Sequence, residues 1–174
     1  MLAYLFVVVA IAFRVGFIAH PMSFTPLAAS LLFFGAKMPR KQAWIPVFLF
    51  AAVDLIQNYR QGYAFSGDLL VSWAFYAAMV GLGLLLASKT TPARIAGASL
   101  AGSIGFFIVS NFAVWVGGAL AMYPRTLAGL VECYAAAVPF FRNGMAGDLI
   151  FAGVFFGVSA LVASRSEKTA KQAA

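Results

Sequence analysis

In a mostly apolar sequence one stretch gathers a cluster of side chains that can do chemistry. Asn111, Trp115, Tyr123, Arg125, Thr126, Glu132, Cys133, Tyr134, Arg142, Asn143 and Asp148 lie between residues 110 and 148, flanked by two apolar runs. Each such group costs free energy in hydrocarbon unless it is paired. Amide, indole, phenol and guanidinium groups recognise ligands by hydrogen bonding and stacking. No nucleophile stands beside a base at motif spacing: the single histidine, His20, is remote, and neither HExxH nor GxSxG occurs. The expected chemistry is small-molecule binding without catalysis. The candidate substrate-binding residues are Asn111, Trp115, Tyr123, Arg125, Arg142, Asn143 and Asp148. Trp115 would form the floor of an aromatic-lined pocket, and the Arg60 and Arg142 loops its mouth. Arginines at the mouth suit an anionic or carbonyl-rich ligand, although Asp148 and Glu132 lie among them.

Each residue also has a plainer reading. Gly147-Asp148 suits the start of a helix, where a carboxylate satisfies free amides and the dipole. Asn111 and Trp115 share a helix face at i,i+4, as an interhelical hydrogen bond and an interfacial tryptophan would require. Arg14 is expected to form a structural ion pair with Asp54. His20, before Pro21, reads as a capped interfacial histidine. Cys133 reads as a small buried residue, with a soft ligand for a cobalt corrinoid or another metal as the weaker alternative. Residues 59–65 form either a lid or an aromatic anchor. With one cysteine, no Cys/His cluster and no phosphate-binding glycine loop, no cofactor, metal or ATP site is expected.

These groups must be held by membrane helices. Of 174 residues, 63% are hydrophobic and 10% charged, against about 25% charged in a soluble domain. The apolar runs are long and lack strand alternation, so an all-α polytopic bundle of about six transmembrane helices is expected. It occupies residues 1–164 as one domain, with a polar tail over 165–174. The spans read as 2–19, 23–36, 43–57, 69–87, 95–120 and 145–163, with 127–138 as a further apolar piece too short to cross alone. His20-Pro21 should end the first span. No Lys or Arg precedes its apolar core, so it is expected to be retained rather than cleaved as a signal peptide. The second span is short, and is therefore poorly tilted, packed inside the bundle or re-entrant.

Alternating six spans puts Lys37, Arg40, Lys41, Lys89, Arg94, Arg165, Lys168 and Lys171 on one side and Arg60, Arg125 and Arg142 on the other. The positive-inside rule assigns the first side, with both termini, to the cytoplasm. The net charge of +7 is thus a topology signal, and no nucleic-acid partner is expected.

Ser23-Phe24-Thr25-Pro26, Asn111-Phe112 with Trp115, Tyr123-Pro124 with Thr126 and Gly129, and Cys133-Tyr134 through Pro139-Phe140-Phe141, Asn143, Gly147 and Asp148 resemble a bacterial family of uncharacterised membrane transport proteins. That family is similar to the substrate-binding S-components of energy-coupling factor (ECF) transporters. The resemblance implies six helices in the cytoplasmic (inner) membrane, an outward site for a vitamin-like or metal-related substrate, and a coupling subunit with ATPases in trans. S-components dock through a small-xxx-small motif on the first helix. Here only Ala12 and Gly16 have that spacing, and Ser23 stands where the family's first motif usually has Asn.

Overall fold

A computed structural model describes residues 1–63, 65–117 and 122–173. It contains six α-helices among the described residues: α1 Leu2–Arg14, α2 Leu27–Lys37, α3 Trp44–Arg60, α4 Gly67–Leu86, α5 Pro92–Gly117 and α6 Leu127–Ala173. A 3-10 turn, Arg40–Gln42, joins α2 to α3. Among the described residues three helices are long and apolar enough to cross a membrane: α4, α5 and the Leu127–Thr169 portion of α6. The chain is thus an all-α protein whose apolar helices suit contact with a bilayer.

The short second span lies inside the bundle. Every residue of α2 from Leu27 to Ala36 is buried, and the helix packs on α1, α4 and α6. Gly35 and Gly83 make the α2–α4 contact possible. A Cβ on Gly35 would collide with the Val80 carbonyl, and one on Gly83 with the Leu32 carbonyl. Such backbone proximity through small residues is how membrane helices associate where burial of apolar surface offers no driving force. Around α2 the core is aromatic. Phe6 stacks on Phe155 at 4.0 Å between centroids, and Phe33 meets Phe156 edge-on at 5.0 Å.

Two boundaries differ from expectation. The first helix stops at Arg14, not at His20-Pro21. Gly16 adopts φ +82°, its N–H donates to the Phe13 carbonyl, and the Phe17 N–H donates to the Ala12 carbonyl. This is a Schellman ending, which needs glycine in the left-handed region, so Gly16 is a helix terminator rather than part of a docking stripe.

The second correction concerns residues 127–163. The apolar piece 127–138 and span six form one helix, which also takes in the polar tail. Its 47 residues extend about 70 Å at about 1.5 Å per residue. Pro139 lies inside it. A proline deletes one i→i−4 bond and crowds the preceding turn, but here the helix is held on α5. The Tyr134 hydroxyl donates to the Ile108 carbonyl at 2.6 Å, and the Cys133 thiol to the Asn111 carbonyl at 3.4 Å. Fixed on a neighbour before the proline, the chain has no reason to leave helical geometry after it.

Candidate small-molecule site

The end of α1, the start of α2 and the facing stretches of α4, α5 and α6 enclose a cavity of ≈ 550 Å³. Its walls divide by chemistry. Phe75, Phe106, Phe107 and Phe141 supply apolar area, while Arg14, Ser103, Asn111 and Asp148 supply polar groups.

Arg14 is set in place by the Schellman turn that follows it and by α3. Its Nε and Nη2 donate to Asp54 Oδ1 at 3.0 and 2.8 Å. Tyr76 from α4 donates to Asp54 Oδ2 at 2.8 Å. Gln57 Nε2 donates to the Arg14 carbonyl at 2.7 Å. The Asp54 side chain is 1% exposed and that of Arg14 is 40% exposed. One buried carboxylate therefore joins three helices, and the guanidinium shows its remaining face to the cavity. Arg14 Nη1 makes no hydrogen bond among the described residues.

A second polar element comes from α5 and α6. The Ser103 hydroxyl lies 2.6 Å from Asp148 Oδ2 and 2.9 Å from the Ser99 carbonyl. Asp148 is 9% exposed, and its Oδ1 has no partner among the described residues. The helix is continuous through Asp148, so there is no helix start for it to cap.

The segment between α1 and α2 closes the side of the cavity. Ser23, at φ +64°, and Thr25 line it. This loop packs tightly on α6: Asn143 Nδ2 donates to the Met22 carbonyl at 3.1 Å, and a Cβ on Gly147 would lie 3.2 Å from the Thr25 nitrogen. The Ser23–Pro26 motif and the Asn143–Asp148 motif, far apart in sequence, thus form one wall.

The residues expected at the site separate accordingly. Asn111 and Asp148 line the cavity, although the Asn111 amide donates to the Phe107 carbonyl on its own helix. Trp115 lies outside it. Its indole N–H donates to the Pro124 carbonyl at 3.0 Å, tying α5 to the segment before α6. Asn143 is a loop anchor. Tyr123 is half-buried, Arg125 and Arg142 are exposed, and none of the three reaches the cavity. His20 lines the wall with its ring on Phe13 at 5.4 Å. Cys133 is buried, at 2% exposure. Tyr59, Tyr63 and Phe65 are exposed; Ala64, in the same loop, lies outside the described residues.

Sequence reasoning overlooked Ser72, Tyr76, Ser103 and Ser110, all on the cavity wall. One signal was present: Ser103, Phe107, Ser110 and Asn111 recur at i, i+4, i+7 and i+8, one face of a helix.

A family profile matches residues 1–171, which include every cavity residue. The chain belongs to DUF6580, a family of unknown function. No curated protein and no solved structure gives a significant match. In this DUF6580 chain the site must therefore be read from its own chemistry: a guanidinium on one wall, a carboxylate on another, and phenyl rings between.

Proposed function

We propose that the protein is a membrane-embedded binding subunit for a small molecule, acting as the S-component-like part of an importer whose energy comes from a coupling subunit and ATPases in trans. One observation carries this reading: a ≈ 550 Å³ cavity among apolar helices with Arg14 and Asp148 in its walls. Ligand pockets are typically about 300–1,000 Å³, mostly apolar, with a few polar groups that set orientation. Ionisable residues in membrane helices that face a cavity commonly mark substrate or ion pathways. A ligand with an acceptor for Arg14, a donor for Asp148 and a flat apolar middle for Phe106 and Phe107 fits this lining. No chemical step is assigned to it.

The groove at the other end of the bundle brings Lys37, Thr90 and Ala163 together, so the basic loops lie away from the cavity. Under the positive-inside rule the cavity then opens to the outer face of the cytoplasmic membrane, with the tail inside. The likeness to ECF S-components rests on the sequence resemblance alone.

Native mass spectrometry of gently solubilised protein tests the reading. A bound small molecule, retained by the native chain and lost from Asp148→Asn, is the expected result. A stoichiometric protein partner with no ligand would favour a structural or assembly subunit instead.

A further inference from the structure

A second groove, of ≈ 440 Å³, lies between α5 and α6 at the basic end. Its floor is made of small residues, among them Ala152, Gly153, Gly157 and Ala160. Glycine inside a helix is destabilising relative to alanine. Gly35 and Gly83 repay this by admitting a neighbouring backbone, but among the described residues nothing lies within 4 Å of a Cβ built on Gly153 or Gly157. The described residues leave the space over them unfilled.

The mouth of the groove is chemically different from its floor. Lys37, at the end of α2, is the charged residue of the lining, and its Nζ sits 6.0 Å from the centre of the Phe156 ring. It forms no ion pair among the described residues. Thr90 and Pro92 place the first turn of α5 beside it; Pro92 has no N–H and the Arg94 N–H is capped by Thr91 Oγ1, so what this end offers an anion is the positive end of the helix dipole. Arg94 is occupied elsewhere, donating to the Lys89 and Leu85 carbonyls. An apolar groove with an ammonium that has no carboxylate partner among the described residues, and a helix N-terminus at the same end, matches an apolar chain carrying an anionic head. A docked apolar helix would leave the ammonium without a counter-charge. Basic pockets between membrane helices bind acidic headgroups for the same reason.

We propose that this groove holds one anionic phospholipid, its acyl chain along Gly153 and Gly157 and its phosphate between Lys37 and the start of α5. The proposal is independent of the ligand at the Arg14 cavity.

The test is native mass spectrometry of the full chain from micelles doped with phosphatidylglycerol or phosphatidylcholine. Gly157→Leu puts a side chain into the groove at a position where a Cβ meets no described atom within 4 Å, Lys37→Gln removes the cation, and Lys41→Gln makes the same charge change outside the lining. The expected result is one retained phosphatidylglycerol, bound at least tenfold more weakly in Gly157→Leu and Lys37→Gln and unchanged in Lys41→Gln. Equal retention of phosphatidylcholine would overturn the proposal. So would equal loss in Lys37→Gln and Lys41→Gln, which would mean diffuse surface charge. A dimer dissolved by Gly157→Leu but indifferent to Lys37→Gln would assign the groove to a second copy of the chain instead.

Discussion

Arg14 holds Asp54 through two nitrogens, at 3.0 and 2.8 Å, across forty residues of sequence. The two partners are unequally placed, since the carboxylate is 1% exposed and the arginine side chain 40%. This inequality ties the bundle's stability to its cavity. The same arginine that neutralises a buried charge also forms part of the cavity wall, so a ligand there and the helix packing share one group.

The first prediction follows from that inequality. Arg14→Gln strands a buried carboxylate that keeps only the Tyr76 hydroxyl. Breaking a buried pair in this way costs about 3–5 kcal/mol. Asp54→Asn leaves an arginine that can turn toward water in the cavity, and should cost less. Thermal unfolding in detergent should therefore rank Arg14→Gln below Asp54→Asn. The reverse order would show that the arginine, not the carboxylate, is the group that cannot be left alone.

A second prediction separates two glycines of α4. At Gly83 a methyl group meets the Leu32 carbonyl, whereas at Gly81 nothing lies within 4 Å. Gly83→Ala must push α2 and α4 apart, and overpacking of this kind typically costs about 1–3 kcal/mol. Gly81→Ala should be neutral or gain up to about 1 kcal/mol from helix propensity. Midpoints of thermal unfolding for the two variants check this directly, and equal midpoints would rule out a tight α2–α4 contact.

The third prediction concerns the ligand. Once a bound molecule is identified, Asp148→Asn should weaken its binding at least about tenfold, the effect of about 1.4 kcal/mol. That is at the upper end of the usual range for one hydrogen bond, about 0.5–1.5 kcal/mol. Asn111→Ala should weaken it less, because the amide already serves the Phe107 carbonyl. Trp115→Phe should leave affinity unchanged and lower stability, since the indole binds the Pro124 carbonyl outside the cavity. Loss of affinity in Trp115→Phe alone would move the site toward the α5–α6 connection.

Particular residues show how far sequence could reach. Apolar runs are a local property, so the helices were visible, and α2 was recognisably too short to meet lipid comfortably. Asn111 and Asp148 were legible as candidates because polar groups are conspicuous among alanine, leucine and phenylalanine. Trp115, Tyr123, Arg125 and Arg142 were equally conspicuous, and sequence has no means of telling a wall residue from Trp115, which braces a connection, or from the exposed Arg125 and Arg142. The apolar piece 127–138 and the span 145–163 read as separate, with Pro139 between them. Whether a proline breaks a helix depends on what holds the turns around it, and here Tyr134 and Cys133 fasten those turns to α5. Serines 72, 103 and 110 were passed over because a lone hydroxyl satisfies itself on its own helix, and only the packing shows that these three share a cavity.

The last prediction is topological. The Lys37, Arg40 and Lys41 turn and the Lys89 to Arg94 turn are basic, whereas the connections at the cavity end carry Arg60 and Arg125. Translocating a short basic loop is disfavoured, so the basic end should stay in the cytoplasm. A membrane-impermeant thiol reagent applied to intact cells should label cysteines introduced at Gln61 or Arg125 and spare those at Lys41 or Lys89. All four positions are exposed or partly exposed on the folded chain, so a difference between them reports sidedness rather than burial. The native Cys133 is 2% exposed, so background labelling should be low without replacing it. Permeabilised cells provide the control, in which all four positions should react. Labelling at Lys89 in sealed cells would invert the bundle, turn the Arg14 cavity toward the cytoplasm and exclude an importer's outward-facing binding site.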